Sequence, residues 1–589
     1  MTGGLRDGSV VRAWVRGAGL ALDAACARID AVNVFPVADA DTGTNTLLTW
    51  RGGLEQVGSV APGTDGPTVL AALARGSLLA ARGSSGVILS RYLAGLAAAT
   101  AAGDDLPAAL TSAAVAAREA VHDPQDGTVL TLAATVAAAA AGRSAASGAV
   151  VLDEAGALAA GLSAGHTELA RISAEHPVLR SARVLDSGAC ALLVVLDALA
   201  AALDGSTAAP DLGWLPEAAA ATDGTGRPGS TGADAGAGGP ASGTDAVEVM
   251  AVLRAGAAAG DLRAALAMVG DAVAVVDGTD TSGTAVQHAH VHTVDPAPAV
   301  AVLRAGGAAA VRVQGVDGGP SGTVAITASA EVAVPLARTG AVVLVLTAGP
   351  TTAAEDAAAL LDRAVDDAGR AGGPVVVLPG GLGELCGLGQ EDDGGPGATR
   401  WGRDVQVLDP ATDDLRVLVA AQVLGRPAPS AHDPVADDRP GEHLAADGPS
   451  VVDRAGHVLA GLRPVEITDL SALADELGRL RAATPAAEHV TLLLGPGGDP
   501  GRTETVARRA APALGLTVAG PVAHGPLVRL VVHPVSGTEA ADGAAAVVRT
   551  PTPAPATPAP TPIASPSPAP TSPGPLATSP CPPTPREDA

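Results

Sequence analysis

Two aspartates separated by one residue form the pattern in this sequence that best fits a chemical task. Asp39 and Asp41 stand just before a glycine turn and a helix start, in the segment Asp-Ala-Asp-Thr-Gly-Thr-Asn. Carboxylate oxygens are preferred ligands of Mg²⁺, which keeps several waters and bridges to nucleotide phosphates. Because the same pattern is common in simple turns, a purely structural turn is the alternative. We predict a magnesium site at Asp39 and Asp41, with phosphate-binding groups at Thr42, Gly43, Thr44 and Asn45.

A second feature is a set of glycine-containing loops, each followed directly by an apolar helical stretch. Backbone N–H groups at a helix N-terminus attract anions, so such loops can hold phosphate. In the loop at 82–86 Arg82 adds positive charge, and the loops at 126–128 and 186–188 follow the same plan. An ordinary helix cap is the alternative for each loop. The predicted nucleotide-binding residues in these loops are Ser84, Ser85, Gly86, Gly127, Thr128, Asp186, Ser187 and Gly188.

Charge and composition exclude several classes of partner. The chain has 589 residues with 36 basic and 62 acidic side chains, a net charge of −26, which argues against nucleic acid or an anionic membrane as main partner. It contains no lysine, so a Walker-type phosphate loop is excluded and arginine must provide the positive charge. The four cysteines show no CxxC spacing, which favours a reducing cytoplasm. We expect no export signal and no integral membrane segment, because no apolar run approaches about 20 residues.

The order of hydrophobic patterns predicts a multidomain protein. Helical periodicity with almost no strand-like alternation predicts an all-α domain at 1–203. A segment rich in Gly, Ala, Ser and Thr at 204–243 indicates a flexible linker. Beyond it, short β-branched runs alternate with helical ones, as in α/β folds. We predict a small α/β middle domain at 244–325, a two-lobed α/β C-terminal domain at 326–540, and a disordered Pro-rich tail at 541–589.

The glycine and aspartate segments together resemble a known family, the DhaL-type nucleotide-binding domain of the fatty acid kinase catalytic subunit, related to that of dihydroxyacetone kinase. The segments that carry the resemblance, in the family's order, are residues 33–45, 81–90, 126–131 and 186–192. The main departures are Ala38 and Ala40 in the first segment and Ser84 in the second. We expect Ala40 to be tolerated, since a glycine is needed there only if φ is positive. The resemblance implies that the N-terminal domain is a helical barrel.

The resemblance also implies an activity. The family's reaction is Mg-dependent phosphoryl transfer from ATP to the carboxylate of a fatty acid, which a separate lipid-binding carrier protein presents. The product is an acyl phosphate for lipid synthesis. By this resemblance Asp39 and Asp41 are catalytic and hold Mg²⁺ against ATP, and Arg82 is a further catalytic residue. The C-terminal α/β region resembles the family's partner-binding region, and a homodimer stays open.

Two other classes of function stay open beside that one. The first is a kinase of the same domain type that acts on a small polyol such as dihydroxyacetone, although the long C-terminal α/β region speaks against it. The second is a scaffold that binds nucleotide or a partner protein without turnover, as the altered middle domain and Ser84 suggest. The joint presence of Asp39, Asp41, Asn45 and Asp186 favours catalysis over a scaffold.

Histidines at alternate positions of one predicted strand form a separate candidate metal site. His288, His290 and His292 share a strand face, in a segment that resembles one associated in the family with zinc and a cysteine ligand. The position of that cysteine is Ala246 here. The resemblance therefore implies a zinc ion bound by His290 and His292, with no cysteine as the further ligand. The alternative is that these histidines lie on an exposed polar strand face.

Overall fold

The computed structural model describes most of the chain up to residue 533. The described residues are 4–35, 40–144, 153–206, 211–216, 246–254, 256, 258–280, 282–316, 321–346, 354–371, 373–386, 388, 401, 404–408, 413–425, 451–484, 487–522 and 525–533. Asp39, most of the predicted linker and the predicted tail at 541–589 lie outside them.

The N-terminal part of the chain is all-helical. Its helices are α1 (Gly8–Asp30), α2 (Thr42–Ser59), α3 (Gly66–Leu79), α4 (Gly83–Ala102), α5 (Leu106–Glu119), α6 (Val129–Ser144), α7 (Glu154–Glu175), α8 (Pro177–Ala182) and α9 (Ser187–Leu203). Several begin at an aspartate whose side chain accepts a bond from the third helical N–H, as Asp65, Asp105 and Asp153 do. These caps fix where α3, α5 and α7 start, and the predicted binding segments lie at the starts of α2, α4, α6 and α9.

Two tryptophans organise the core of the helical region. Trp14 on α1 and Trp50 on α2 are fully buried and meet edge to face, with ring centroids 5.5 Å apart. The Trp14 indole donates to the carbonyl of Val195 on α9 (2.8 Å), and the Trp50 indole donates to that of Val15 (2.9 Å). The first helix therefore packs against both the second and the last. The closed barrel implied by the family resemblance stays a prediction.

Two sheets follow the helical region. Their strands are β1 (Val247–Arg254), β2 (Asp271–Thr279), β3 (Ala285–Thr293), β4 (Ala310–Gly315), β5 (Thr323–Thr327), β6 (Val342–Leu346), β7 (Val375–Leu378), β8 (Val405–Val407), β9 (Val465–Ile467), β10 (His489–Leu494), β11 (Gly515–Ala519) and β12 (Val528–His533). The first sheet has the order β2-β3-β1-β4-β6-β5-β7-β8, and the second β11-β10-β12-β9. The first sheet is antiparallel from β2 to β6, and the pairs from β6 to β8 are parallel.

Helices cover both faces of the parallel half of the first sheet. The helices of this part of the chain are α10 (Ala259–Ala267), α11 (Pro296–Ala305), α12 (Ala333–Ala337), α13 (Ala354–Ala368), α14 (Asp414–Leu424), α15 (Val451–Gly461), α16 (Leu473–Ala483) and α17 (Pro500–Ala510). Helix α13 packs Leu361 and Val365 in one core with Ile326 of β5. The opposite face, with Ala325, packs in another core with Leu418 of α14. The strand, helix, strand pattern predicted from the sequence thus forms a parallel sheet with helical crossovers.

The sequence-predicted domain boundaries differ from the structure in two places. The boundary at residue 325 falls inside β5, and because β4 pairs with β6 and β6 with β5, one sheet continues across it. Within the predicted linker, Leu215 is buried, and Arg28 of α1 donates to the carbonyls of Leu212 (2.9 Å) and Pro216 (2.8 Å). Neither strand pairing nor this long-range packing has a signal in local composition.

The helical region packs against the antiparallel edge of the first sheet. The backbone N–H of His122, just after α5, donates to the carbonyl of Val273 on β2 (3.0 Å), and that of Val275 donates to Ala120 (3.3 Å). Side chains from α3, α4 and the end of α5 share an apolar cluster with β2 and β3. The buried members of this cluster are Leu78, Ala81, Val87, Ala120, Ala274, Val276 and Val286. The contact brings the helix starts close to the sheet.

One described helix, α4, is long and apolar enough to cross a membrane by length and composition. Of its most apolar stretch, 56% is buried inside the protein. A helix in the core of a folded domain passes the same test, and α4 has the packed surroundings of such a helix. The part of the chain that the structure describes therefore contains no clear transmembrane region.

Candidate functional site

A polar cleft lies between the helical region and the first sheet. From the helical region it is lined by Asn33, Asp41, Thr42, Asn45, Gly83, Ser84 and Ser85, and from the sheet by Glu248, His292, Gln314, Gly315 and Val316. The first two predicted binding segments therefore share one wall of a single site. The second wall comes from β1, β3 and β4.

Hydroxyl groups from three predicted segments meet beside the cleft. The Thr42 Oγ1 lies 3.2 Å from the Ser187 Oγ and 3.5 Å from the Ser85 Oγ. The Ser187 hydroxyl also lies 3.3 Å from the Asn33 Oδ1. Residues separated by more than 140 positions in the chain thus form one cluster of hydroxyl and amide groups. Such a cluster can both donate to and accept from phosphate oxygens or metal-bound waters.

Asp41 occupies the cap position of α2 and lines the cleft. Its carbonyl accepts from the Asn45 N–H (2.7 Å), while its carboxylate makes no capping bond to the helix. The preceding Ala40 has φ +53°, which is the left-handed region that costs an L-residue roughly 1–2 kcal/mol. The condition under which alanine was expected to carry a cost, a positive φ, therefore holds at this position, and the structure accommodates Ala40 with that strain. The bend at Ala40 directs the chain into α2 and so places Asp41.

Gly43 and Thr44 do not line the cleft, and their backbone N–H groups are bound within the protein. Their backbone N–H groups donate to one Asp30 carboxylate oxygen, at 2.7 and 3.1 Å, and the Thr44 hydroxyl donates to the other at 2.7 Å. Burial raises the pKa of Asp30, and the bonds from Thr44 oppose that rise. A Cβ on Gly43 would lie 2.3 Å from the carbonyl oxygen of Cys26, so this glycine allows α1 and α2 to approach closely. An internal carboxylate, which sequence reasoning missed, takes the anion position at the start of α2.

The second segment lies directly on α2. Gly83 has φ +58°, and a Cβ there would come within 2.5 Å of the Asn45 Nδ2 and 3.6 Å of a Glu248 oxygen. Only glycine fits both the conformation and the space. Ser84 and Ser85 follow at the cleft, while the Gly86 N–H donates to the carbonyl of Arg82 (2.8 Å) as the first bond of α4.

Arg82 is placed differently from the expectation that its charge reaches a bound phosphate. It is buried, its Nε donates to both carboxylate oxygens of Asp367 (2.8 and 3.0 Å), and its Nη1 donates to the carbonyl of Ala80 (2.7 Å). It is not among the residues that line the cleft. The partner is on α13, more than 280 residues away, so no local sequence signal announces the pair.

The third and fourth segments are joined to each other by Asp186. Its carboxylate accepts from the Ala189 N–H (2.7 Å) and caps α9, and a bond from the Val129 N–H reaches it from the start of α6. Gly127 donates to the Thr131 hydroxyl (2.9 Å), and the Thr128 hydroxyl donates to the Gln125 carbonyl (2.9 Å). In the structure these groups act as helix caps, the alternative raised from the sequence.

Gly188 completes the junction of the third and fourth segments. A Cβ added to it would come within 3.3 Å of the Val129 side chain. The residues of these two segments do not line the cleft; they are Gly127, Thr128, Asp186 and Gly188. Ser187 is connected to the cleft through its hydrogen bond to Thr42. The nucleotide contacts predicted for these residues stay predictions.

Asp186 makes the stability of the fold depend on pH. Burial raises its pKa to about 6, because the bonds from Ala189 and Val129 only partly offset the loss of water. The folded state therefore holds a proton that the unfolded chain releases near pH 4, so the free energy of unfolding falls as pH rises from about 4 to 6. We expect Asp186→Asn, whose amide oxygen still caps the helix, to remove a fall on the order of 2–3 kcal/mol. Urea unfolding at pH 4, 5, 6 and 7 measures this, and parallel profiles for both proteins would contradict it.

The sheet wall of the cleft follows from strand register. Glu248 on β1 pairs with His292 on β3 and with Gln314 on β4, so the three side chains form a row across one face. In the next row Met250 lies between His290 and Arg312. Glu248, His292 and Gln314 lie on the sheet face that is turned toward the helical region, and all three therefore line the cleft.

The histidines are buried, so the alternative of an exposed strand face is wrong. His290 is fully buried and His292 is 8% exposed. The His290 Nε2 lies 3.0 Å from a Glu248 oxygen, and its Nδ1 lies 3.1 Å from the carbonyl of Ala272. Burial lowers the pKa of His288 to about 3 and that of His292 to about 4, so both are neutral at pH 7.

The donor set for zinc can be tested on this structure. Ala246 offers no ligand atom, but Glu248, His290 and His292 bring one carboxylate oxygen and two ring nitrogens within 4.8 Å of one another. Two histidines and a glutamate are a known zinc ligand set, and neutral imidazole is the form that binds metal. Burial acts to raise the pKa of Glu248, but the bond from His290 and the charge of Arg312 outweigh it and lower the pKa. The residues present therefore fit the donor set that zinc requires.

Comparison with known proteins defines the class of the helical region. The family model of the DAK2 domain matches residues 36–201, which belong to the all-helical part of the chain that contributes one wall of the cleft. This match indicates a dihydroxyacetone kinase-like nucleotide-binding domain in a kinase-related family. The sheet-bearing part of the chain lies outside the match.

Individual relatives are similar over part of the chain. Protein YloV of Bacillus subtilis is 36% identical over 198 residues, which are 32% of this chain and 34% of YloV. An uncharacterized protein of Staphylococcus saprophyticus is 34% identical over 192 residues, 30% of this chain and 32% of its own. An uncharacterized protein of Staphylococcus aureus is 38% identical over 120 residues, which are 19% of this chain and 21% of that protein. The chain spans about a third or less of the length of the curated relatives it matches.

Proposed function

We propose that the protein is a Mg-dependent kinase that transfers a phosphoryl group from ATP to the carboxylate of a fatty acid, giving an acyl phosphate for lipid synthesis. In this proposal a separate lipid-binding protein presents the fatty acid. The observation that carries it is the cleft, where Asp41, Thr42 and Ser85 meet from two segments of a DAK2-type domain. Phosphoryl transfer depends mainly on positioning and charge neutralisation, and this wall provides groups for both.

The helical wall would hold the metal and the phosphates. Asp41, together with Asp39, provides the carboxylates for Mg²⁺, and bound Mg²⁺ neutralises the charge that develops on the transferred group. The hydroxyls of Thr42, Ser84 and Ser85 can donate to phosphate oxygens, and the bonds of Thr42 within the hydroxyl cluster hold this wall in place. These residues bind and orient the phosphates, and none of them has to exchange a proton with the substrate.

Arginines from the sheet-bearing part would supply the positive charge that a lysine-free chain needs. Burial lowers the pKa of Arg370, and the charges of Asp367 and Asp41 oppose that shift. The Asp41 carboxylate also acts on Arg312 in the direction that raises its pKa, after the larger effects of burial and Asp367. Neither Arg312 nor Arg370 lines the cleft, and Arg82 is bound to Asp367, so in this proposal the arginines act on bound phosphate at longer range and not by direct contact.

The sheet wall suits a carboxylate acceptor. His292 is neutral at pH 7 because burial lowers its pKa to about 4, so it can donate a hydrogen bond without a charge. Gln314 accepts from Arg312 (3.3 Å) through its amide oxygen, which leaves its amide nitrogen as a second neutral donor. The walls are polar, and such a cleft receives a head group more readily than an acyl chain, as delivery by a carrier protein requires. The proposal places the enzyme in the cytoplasm and leaves a homodimer open.

We also propose that Glu248, His290 and His292 hold zinc beside this cleft. Glu248 and His292 line the cleft, so a bound ion would add positive charge at the acceptor wall. The family's cysteine ligand corresponds to Ala246 in this chain. In this assignment Glu248 provides the third ligand instead.

Two measurements test the proposed function. Calorimetric titration of ATP, with and without Mg²⁺, is expected to show binding only with the metal. In the second, oleate on a lipid-binding protein is incubated with Mg-ATP and hydroxylamine, which converts an acyl phosphate to a hydroxamate with release of phosphate. Hydroxamate that depends on enzyme and ATP supports the fatty acid as acceptor. Phosphorylation of dihydroxyacetone instead would support the polyol class, and absence of Mg-dependent ATP binding would favour a scaffold.

A further inference from the structure

A single buried carboxylate on α13 joins the helical region to the first sheet. Asp367 is fully buried. One of its partners, Arg82, stands at the cap position of α4, and its Nε contacts both carboxylate oxygens at 2.8 and 3.0 Å. The other partner, Arg312 on β4, donates to the same carboxylate through its Nη1. The carboxylate therefore binds one cation from each side of the cleft.

On the helical side, Arg82 fixes the start of the loop that lines the cleft. Its own N–H donates to the Thr49 hydroxyl (3.2 Å), and its carbonyl accepts from Gly86 (2.8 Å). Gly83, Ser84 and Ser85, which line the cleft, lie between these two anchored points. A shift of the Arg82 side chain would therefore move the residues proposed to hold phosphate.

On the sheet side, Arg312 fixes the opposite wall. Its Nη2 donates to a Glu248 oxygen (3.1 Å) and to the Gln314 oxygen (3.3 Å), and both of these residues line the cleft. The ion pairs therefore run continuously from Arg82 through Asp367 and Arg312 to Glu248. The chain of contacts connects the two walls and reaches the cleft itself at Glu248.

The balance of charge keeps the Asp367 carboxylate ionised although it is buried. Burial acts to raise the pKa of Asp367, but the charges of Arg82 and Arg312 outweigh it and lower the pKa. The carboxylate is therefore ionised with two direct cationic partners, and the Arg370 Nε donates to the backbone carbonyl of Asp367 (3.1 Å). Removing this charge would leave two largely buried guanidinium groups without their shared anion, which is strongly unfavourable in a low dielectric.

We propose that Asp367 is a positioning residue of the phosphoryl-transfer site, which sets the spacing between the phosphate-binding loop and the sheet wall. It acts through Arg82 and Arg312 and does not touch the nucleotide. This inference rests on the proposed function, because the affinity it controls is that for Mg-ATP. A carboxylate that only stabilised the fold would change the unfolding temperature without changing the loop or the affinity.

The test compares Asp367→Asn with Asp362→Asn in the full-length protein. Asp362 is a matched control because it lies on the same helix and accepts a hydrogen bond from the Trp401 indole (2.7 Å). Hydrogen exchange of the amides at 83–90 is measured without ligand, together with Mg-ATP affinity by calorimetry and thermal unfolding. We expect Asp367→Asn to speed exchange at 83–86 and to weaken Mg-ATP binding at least about tenfold, as loss of an outer partner does at other sites. Asp362→Asn is expected to change neither.

A conservative variant separates positioning from folding. Asp367→Glu keeps the charge, so it is expected to retain affinity within about threefold and slow exchange at the loop. Wild-type exchange and affinity in Asp367→Asn would overturn the inference, as would equal losses in Asp362→Asn. If Asp367→Asn fails to fold, loss of Mg-ATP affinity in a folded Asp367→Glu protein would overturn it instead. Absence of Mg-ATP binding by the wild-type protein would refute the proposed function, whereas the exchange measurement still tests the contact between Asp367 and the loop.

Discussion

Replacing Asp41 by Asn is expected to abolish Mg-dependent ATP binding while leaving the fold intact. Asp41 lines the cleft and makes no capping bond to α2, so the helix does not need its charge. An amide is a much poorer Mg²⁺ ligand than a carboxylate. Since loss of an outer-shell partner alone lowers metal affinity roughly 10–100-fold, we expect loss of a direct ligand to weaken Mg-ATP binding by more than about 100-fold. Calorimetry with ATP at fixed Mg²⁺ measures the change.

The matched control for this experiment is Asp65→Asn. Asp65 also stands at a helix cap position, but its side chain accepts from the Thr68 N–H (2.9 Å), a role that Asn performs as well. It does not line the cleft, so its replacement is expected to leave both ATP affinity and unfolding temperature near wild type. Normal Mg-dependent binding in Asp41→Asn would end the assignment of the metal to this cleft. Equal losses in the two variants would mean that the effect comes from stability and not from the site.

The sequence predicted the helical region and much of the helical cleft wall because both depend on local signals. Helical periodicity acts within a few residues and indicates the helices themselves, and the Asp186 cap marks the start of α9. Thr42, Ser85 and Ser187 were predicted as ligands from separate segments, and their hydroxyls do meet. The expectation failed for Gly43 and Thr44, whose N–H groups bind Asp30 at the end of α1. Whether a helix start faces a ligand or another side chain is decided by packing.

Other parts of the site depend on pairing between distant segments. Glu248 reaches the cleft because β1 pairs with both β3 and β4 in one register, which brings it beside His292 and Gln314. Asp367 reaches Arg82 because α13 crosses over the same sheet face. The predicted boundary at residue 325 failed for the same reason, since it cuts a sheet whose continuity lies in hydrogen bonds between strands. None of these pairings leaves a mark in local composition.

The second large effect is expected at the proposed zinc site, where Glu248→Gln should abolish most of the zinc binding that we propose. The glutamate supplies the carboxylate oxygen that lies within 4.8 Å of the two histidine nitrogens, and an amide oxygen is a weak zinc ligand. We expect zinc affinity to fall by at least about 100-fold, measured by competition with a chromophoric chelator and by zinc content after gel filtration. The amide oxygen of the substituted side chain would still accept from Arg312, so the sheet is expected to keep its fold.

A variant that is expected to bind zinc more tightly tests the zinc site without the risk that a loss of binding comes from damage to the fold. Residue 246 directly precedes β1 and lies on the same face as residue 248, because side chains alternate along an extended chain. Ala246→Cys therefore adds a thiolate beside Glu248, and we expect zinc affinity to rise by about tenfold or more. Glu466→Gln on the exposed part of β9 serves as the control carboxylate and is expected to change nothing. Unchanged zinc affinity in both Glu248→Gln and Ala246→Cys would leave Glu248 as the shared partner of His290 (3.0 Å) and Arg312 (3.1 Å), whose role is then to hold the sheet wall against the helical domain.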